Sequence, residues 1–183
     1  MPILSQEVSL YPQNLLGVGS ADQVHNWYIV YTRARHEKSL ARHMLANTMH
    51  FYLPLVAKEQ FVRGKRVHSY LPVFSSYLFY CGDAPDEVSK VAPYCVSCVF
   101  PVDDQKRLQT ELLSIHTLLE AGSGMTLESR LTNGRKVRVK SGALRGLEGT
   151  VVRRKNRSRL LVAVNYLQQG VSVEIDDFML ETI

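Results

Sequence analysis

An unbroken aromatic and aliphatic run stands at residues 77–80, within the stretch 71–81. A short run of this kind predicts a strand that is buried on both faces. Side chains alternate along a strand, so Tyr77 and Phe79 share one face while Leu78 and Tyr80 share the other. One face must cover a core. The second face needs either another covering element or a protein partner, and the pattern leaves both possibilities open.

Four patterns precede this run. Residues 27–32 are β-formers and predict a strand. Residues 33–47 predict a helix, with Leu40 and Met44 on an apolar stripe and Glu37 among the residues on the outer side. Residues 51–56 predict a second strand. Residues 60–68 have apolar arms around a basic tip that contains glycine, which is the pattern of a hairpin.

Three patterns follow the run. Residues 85–91 predict a helical turn, and residues 95–100 predict another strand. A helix capped by Asp103 and closed by Gly122 follows. Its apolar stripe consists of Leu108, Leu112, Ile115 and Leu119. The sum is a β-α-β-β-β-α arrangement, an α+β domain in which helices flank an antiparallel sheet.

The last third of the chain has a different pattern. Residues 123–132 lack periodicity and predict a linker. Five short, β-branched segments then predict a small all-β barrel rather than helices, at residues 136–140, 148–152, 160–164, 171–175 and 178–180. The predicted organisation is a flexible N-terminal arm at 1–24, an α+β domain at 25–122, a linker at 123–132 and a barrel at 133–183.

Charge is distributed unevenly over the 183 residues. From residue 133 onward ten basic residues face five acidic ones, which accounts for the whole net charge of +5. A second basic region lies in the first domain, ahead of an acidic stretch. Its candidate nucleic-acid contacts are Arg33, Arg35, His36, Lys38, Arg42 and His43 at the helix start, and Arg63, Lys65 and Arg66 at the hairpin tip. Contact with nucleic acid and a solvated charged face explain such patches equally well.

The candidate chemistry is sparse. Three cysteines favour a reducing cytoplasm, and no apolar run approaches the length of a membrane span. Cys95 and Cys98 have the C-x-x-C spacing, but a second pair of zinc ligands is missing. The segment that begins His36-Glu37 ends on Leu40 where a zinc-binding H-E-x-x-H motif needs histidine. Phosphate-loop, dinucleotide and nucleophile-elbow motifs are absent as well, so we expect no enzyme, no metal and no cofactor.

Two sets of residues resemble a known family. Residues 133–149 resemble a KOW motif and its SH3-like barrel, through Gly134, Val137, Arg138, Val139, Gly142, Gly146 and Gly149. Residues 27–30 with Glu37, and Phe74-x-x-Tyr77-Leu78-Phe79, resemble the NGN domain of NusG-type transcription factors. The basic hairpin tip before Pro72 is most similar to RfaH-type specialised paralogues. The resemblance covers residues 27–183.

The resemblance implies a transcription elongation or antitermination factor. Its NGN domain would bind the clamp helices of RNA polymerase through Tyr31, Phe74, Tyr77 and Phe79, and its basic residues would face the upstream or non-template DNA. Tyr166 and Leu167 match a KOW loop that contacts a small-subunit ribosomal protein or the Rho terminator in relatives. We expect a cytoplasmic monomer that reduces pausing or termination. The alternative is a ribosome-associated, RNA-binding KOW protein.

Overall fold

The computed structural model describes residues 7–17, 25–62, 65–122, 125–130, 134–154 and 157–183. Within these ranges the backbone alone is described at residues 59–62, 65–68, 154 and 178. The chain forms two compact units, which meet between Gln105 and Lys106.

The first unit contains two sheets and two helices. In chain order its elements are β1 (Leu10–Tyr11), β2 (Asn26–Thr32), α1 (Glu37–Ala46), β3 (His50–Tyr52), β4 (Leu55–Val62), β5 (Lys65–Pro72), β6 (Tyr77–Gly82), α2 (Asp86–Val91) and β7 (Val96–Pro101). Five strands form an antiparallel sheet in the order β1-β3-β6-β2-β7. Strands β4 and β5 form a separate hairpin. The α+β class with antiparallel strands is therefore confirmed.

Helices α1 and α2 cover one face of the larger sheet. Leu40 and Met44 of α1 and Val88 of α2 pack in one cluster with Leu78 and Tyr80 of β6. Burying such side chains contributes roughly 1.5–3 kcal/mol each relative to exposing them. The predicted alternation in β6 is confirmed, because Tyr77 and Phe79 point away from this cluster.

The predicted helix 33–47 and strand 51–56 need correction. Helix α1 begins only at Glu37, since Arg35 has φ +64° and the amide of His36 donates to the carbonyl of Arg33 in a turn. The strand is two strands, β3 and β4, separated by Leu53 and Pro54. Proline has no amide hydrogen to donate to a sheet, so pairing is interrupted there. The predicted hairpin is confirmed as β4 and β5.

Helix α3 (Gln105–Glu120) begins at the last residue of the first unit. The Gln105 side chain accepts from the amide of Trp27 at 2.6 Å and donates to the carbonyl of Trp27 at 3.1 Å, which ties this residue to β2. The predicted apolar stripe is correct at three positions, but Leu118 rather than Leu119 is the fully buried fourth residue. Gly122 follows the helix with φ +84°, as expected of a glycine cap.

The second unit adds a six-stranded antiparallel sheet. Its strands are β8 (Thr126–Glu128), β9 (Arg135–Val139), β10 (Glu148–Arg154), β11 (Arg157–Val164), β12 (Gln169–Glu174) and β13 (Leu180–Thr182), in the order β13-β9-β10-β11-β12-β8. The prediction of strands in place of a helical hairpin is confirmed for these segments. The last strand was predicted at 178–180, but a 3-10 turn occupies Asp177–Met179 and the strand begins at Leu180.

Two predicted connecting segments contribute strands. In the predicted arm, Leu10 pairs with Tyr52 of β3, and Leu15 and Leu16 are buried. In the predicted linker, β8 pairs with β12. Buried leucines account for the first addition, and the free edge of β12 is available for the second. The boundaries at residues 24, 122 and 132 stay a prediction.

Candidate functional site

Backbone hydrogen bonds bring three segments together at the end of β2. The amide of Thr32 donates to the carbonyl of Ser76 at 2.8 Å, and the amide of Arg33 donates to the carbonyl of Cys95 at 2.9 Å. The turn before β6 and the turn before β7 therefore flank the exit of β2. We take this exit, its two flanking turns and the start of α1 as the candidate site.

A pair of tyrosines occupies the surface of this site. Tyr31 of β2 lies opposite Tyr77 of β6 in the strand register, and their ring centroids are 5.3 Å apart at an interplanar angle of 47°. Tyr31 is 40% exposed and Tyr77 is half-buried. Cross-strand aromatic pairs stabilise each other, and rigid exposed tyrosines are common anchors of protein interfaces.

The other two predicted docking residues lie in the interior. Phe74 and Phe79 are fully buried, with ring centroids 5.9 Å apart in an edge-to-face arrangement. Phe79 also lies 6.5 Å from the ring of Tyr52. The structure thus divides the predicted set of four into two surface tyrosines and two interior phenylalanines. That these residues bind a polymerase stays a prediction.

Glu37 has a role that the sequence pattern missed. It was assigned to the outer side of the helix, but it is buried, and its carboxylate accepts from the amide of Ser76 at 2.7 Å. Ser76 itself has φ +66°, in the left-handed region. The contact fixes the turn that precedes Tyr77. Its sequence signals were an isolated acidic residue among basic ones and the place of Glu37 in the NGN resemblance.

The predicted nucleic-acid contacts have different surroundings. Arg33 and Arg35 are exposed, and neither has an ion-pair partner within the described part of the chain. His36 is half-buried, with Nδ1 3.0 Å from the carbonyl of Ala34. Arg42 is exposed but forms an ion pair with Glu7 at 3.0 Å, which partly neutralises it. His43 is exposed near the end of α1.

The basic hairpin tip cannot be assessed in the same way. Arg63 lies outside the described residues, and Lys65 and Arg66 are described only as backbone at the start of β5. Their proposed contact with DNA stays a prediction.

Tyr94 is a surface residue that the sequence patterns did not single out. It lies in the turn between α2 and β7 and is 80% exposed. The next residue, Cys95, accepts the hydrogen bond from Arg33, so Tyr94 is adjacent to the basic segment. Its sequence signal was a proline followed by an aromatic residue, between the predicted helical turn 85–91 and the predicted strand 95–100.

In the second unit, Tyr166 and Leu167 lie on a 3-10 turn at Asn165–Leu167. Tyr166 is 52% exposed and Leu167 is half-buried. Glu111 of α3 holds this turn, because its carboxylate accepts from the amide of Asn165 at 3.0 Å and from the side-chain amide of Asn165 at 2.5 Å. The predicted partner loop is therefore a fixed surface feature.

Five basic residues of the second unit have acidic partners in the described part of the chain, and one of them is Arg107, which pairs with Glu111. Arg138 pairs with Glu148, Arg153 approaches Asp177, and Arg157 pairs with Glu174. Arg159 is buried and donates to Ser172 and Thr126. Exposed basic residues without an ion pair among the described residues are Lys106, Arg130, Arg135, Lys136, Lys140 and Arg145. The unpaired positive charge of the described part of the second unit therefore lies on these exposed residues.

The two cysteines of the C-x-x-C motif have different environments. Cys95 is buried with its sulfur 3.7 Å from the Ser39 hydroxyl, whereas Cys98 is exposed on β7. Burial raises the pKa of the third thiol, Cys81, to about 11, with a smaller contribution from Asp83. Among the described residues no group of three potential metal ligands comes together, and none of their helices has the length and apolarity needed to cross a membrane.

Comparisons with known proteins find one family model that matches part of the chain. Residues 25–109, just under half of the chain, match the family model described as NusG, transcription termination factor nusG. A solved chain from the crystal structure of the MjSpt4:Spt5 complex, conformation B, has a TM-score of 0.29 and 14% identity, over 86% of this chain and 96% of that one. A TM-score of this size carries no argument. No curated protein sequence gives a significant match. Residues 25–109 are therefore similar to the NusG family model.

Proposed function

We propose that this chain is a NusG-type transcription elongation factor that binds RNA polymerase and reduces pausing or termination. The observation that carries the proposal is the surface pair Tyr31 and Tyr77, which lies within the segment that matches the NusG model. Tyr31 and Tyr77 contact the clamp helices, while the buried Phe74 and Phe79 hold the turn and the strand in place. The sequence of the basic hairpin tip resembles RfaH-type paralogues, which favours a specialised member of the family.

The basic residues have a separate role in this proposal. Arg33, Arg35, His36 and His43, with the hairpin tip, face the upstream or non-template DNA. Contacts with phosphates add affinity and fix the register, but they carry little sequence information. Attachment to both polymerase and DNA opposes opening of the clamp, so pauses that require this opening become less populated.

The second unit completes the proposal. Residues 133–183 close into an SH3-like KOW barrel, and the loop with Tyr166 and Leu167 binds a small-subunit ribosomal protein or Rho. The protein works as a cytoplasmic monomer and has no catalytic activity, metal or cofactor of its own.

Polymerase binding is tested with the full chain and purified RNA polymerase. We expect Tyr31→Ala combined with Tyr77→Ala to weaken binding by about 2 kcal/mol or more, roughly 30-fold. Tyr166→Ala is the control, since it removes an exposed tyrosine from the other unit, and it should bind as the wild type does. Wild-type protein that captures ribosomes from an extract and does not bind polymerase would instead identify the ribosome-associated alternative.

Single-round transcription on a template with a strong pause tests the effect itself. The wild type should shorten the pause lifetime. Changing Arg63, Lys65 and Arg66 together to Ala should keep polymerase binding yet lose much of the antipausing effect at moderate salt, because the variant lacks the phosphate contacts and keeps the aromatic ones. Salt screens the phosphate contacts but not the aromatic contacts. A triple variant with full antipausing activity would show that the hairpin does not make the proposed DNA contact.

A further inference from the structure

Residues 74–77 form a tight turn that leads into β6. The amide of Tyr77 donates to the carbonyl of Phe74 at 3.2 Å, and Ser76 has φ +66° whereas the φ of Ser75 is not positive. This is the pattern of a type II turn, which normally has glycine at its third position. For an L-residue the left-handed conformation is disfavoured by a factor on the order of ten. By itself, Ser76 therefore favours a type I turn, in which its φ would be negative.

The carboxylate of Glu37 opposes this preference. Type I and type II turns differ in the orientation of their central peptide group, whose amide here belongs to Ser76. Glu37 is buried in the first turn of α1, and its carboxylate accepts from this amide at 2.7 Å. Rotation of the peptide to the type I orientation would turn the amide away and cost the buried carboxylate this hydrogen bond. The contact therefore favours the type II turn.

The same turn connects the two surface tyrosines. The carbonyl of Ser76 accepts from the amide of Thr32 at 2.8 Å, so the turn is bonded to β2 as well as to α1. Tyr77 directly follows Ser76, and Tyr31 directly precedes Thr32. Only 7% of Glu37 is exposed, which leaves it little surface to offer a partner. Any effect of Glu37 on binding must therefore pass through the turn.

We propose that Glu37 is a positioning residue of the docking surface, because it selects the type II turn and thereby sets how Tyr77 and Tyr31 are presented to the partner. The inference deepens the proposed function and rests on it for the identity of the partner, but the turn can be measured without one. The competing explanation is the helix dipole, since an acidic residue in the first turn stabilises a helix. In that case the loss of Glu37 would weaken α1 and leave the turn unchanged.

NMR spectroscopy of the full chain tests the turn in the absence of a partner. A strong nuclear Overhauser effect between the Hα of Ser75 and the amide of Ser76 marks a type II turn, because a ψ of about +120° at Ser75 brings them together. We expect this signal in the wild type and in Glu37→Gln, whose side-chain oxygen still accepts the hydrogen bond. Glu37→Ala should lose it, together with the ring contacts between Tyr31 and Tyr77. If the alanine variant does not fold, Glu37→Leu fills the same space without an acceptor and gives the same comparison.

Binding of the full chain to purified RNA polymerase tests the consequence. Glu37→Ala should weaken binding about 10-fold, whereas Glu37→Gln should stay within about twofold of the wild type. Glu87→Ala is the matched control. Glu87 also lies in the first turn of a helix and accepts from the hydroxyl of Tyr80 in β6, but Tyr80 belongs to the other face of the sheet. This control should bind polymerase as the wild type does.

A second substitution in the turn separates positioning from support of the helix. Glycine adopts a positive φ without the penalty, so Ser76→Gly favours the type II turn even without an acceptor. The double variant Glu37→Ala with Ser76→Gly should therefore recover the type II signal and most of the lost affinity. A glycine in the turn would not compensate for a weakened α1.

A Glu37→Ala protein that keeps the type II turn, or that binds polymerase as tightly as the wild type does, would overturn the inference. So would a double variant that binds as weakly as Glu37→Ala alone. Wild-type protein whose turn depends on Glu37 but which does not bind polymerase would leave the positioning of the tyrosines intact and overturn the proposed function instead.

Discussion

Ser76 and Arg35 are non-glycine residues with positive φ, at +66° and +64°, and both belong to the candidate site. The left-handed conformation costs an L-residue roughly 1–2 kcal/mol, and such strain persists only where the surroundings impose it. At Ser76 the surroundings are evident, because Glu37 accepts from its amide and its carbonyl accepts from Thr32. Two of the four described non-glycine residues with positive φ therefore lie where β2 leaves the sheet.

Ser76→Gly should stabilise the protein by about 1 kcal/mol, because glycine adopts positive φ without the penalty and keeps both backbone hydrogen bonds. The measurement is the free energy of unfolding in urea. Ser75→Gly is the matched control: its φ is not positive, so the same change should destabilise by about 0.5–1 kcal/mol. Equal effects at the two positions would show that strain at Ser76 is negligible.

Phe79→Ala should cost about 3–5 kcal/mol of stability, because it leaves a cavity beside Phe74 and Tyr52. Tyr31→Ala, on the neighbouring strand but 40% exposed, should cost about 1 kcal/mol or less. Thermal and urea unfolding of both variants give the comparison. A stable, folded Phe79→Ala protein that has lost only polymerase binding would show that Phe79 belongs to the docking surface.

At the scale of elements, polar networks attach strands to their neighbours in the second unit. Arg159 of β11 donates to the Ser172 hydroxyl of β12 at 3.0 Å and to the Thr126 hydroxyl of β8 at 2.9 Å. Ser172 in turn donates to the buried carboxylate of Glu128 at 2.7 Å. This network accounts for the short strand β8 in a stretch without hydrophobic periodicity.

Arg159→Ala should therefore be severely destabilising, by about 3–5 kcal/mol, since it leaves buried polar groups without their partner. Arg157 also contacts Glu174, but its side chain is 69% exposed, so Arg157→Ala should cost no more than about 1 kcal/mol. Urea unfolding of the two variants, with the wild type, measures the difference. Similar losses for both variants would mean that the Arg159 network contributes little.

At the scale of the whole molecule, stability should depend on pH through a histidine at one edge of the first sheet. Burial, and then the charge of His25, lower the pKa of His50. Tyr11 packs against His50, and His25 is bound in turn to Asp83 at 2.5 Å. Because the folded state binds a proton at His50 less readily than the unfolded state does, protonation favours unfolding.

The contribution of His50 to stability should be fully present above the unfolded pKa of about 6.5 and should decline as pH falls from there towards its lowered folded pKa. Urea unfolding at pH 7 and pH 5 should show a smaller loss for His50→Gln than for the wild type. His43→Gln, at an exposed position, should lose as much as the wild type. An unchanged pH dependence in His50→Gln would exclude His50 as a source of the pH-dependent stability.

Local patterns in the sequence determined most of the elements. The β-formers at Trp27 and its neighbours, the alternation around Tyr77 and Phe79, and the hairpin arms are short-range signals, since a strand's two faces are set by residues two apart. The strands of the second unit follow from β-branched residues between glycines. The resemblance to NusG-type factors, and not these local signals, made Tyr31 and Tyr77 candidates for one docking surface.

Tertiary structure alone decided which of these residues are accessible. Phe74 and Phe79 are buried, Glu37 is drawn inward by the amide of Ser76, and Tyr94 is left exposed beside Arg33. Each outcome depends on contacts between residues far apart in the chain, which periodicity does not encode. Ion pairing is decided in the same way: the sequence determines that Arg157 and Glu174 are present, but the pairing of β11 with β12 brings them together. The sequence determines the number of charged residues. The electrostatic field at a surface depends on which of those charges the fold leaves unpaired.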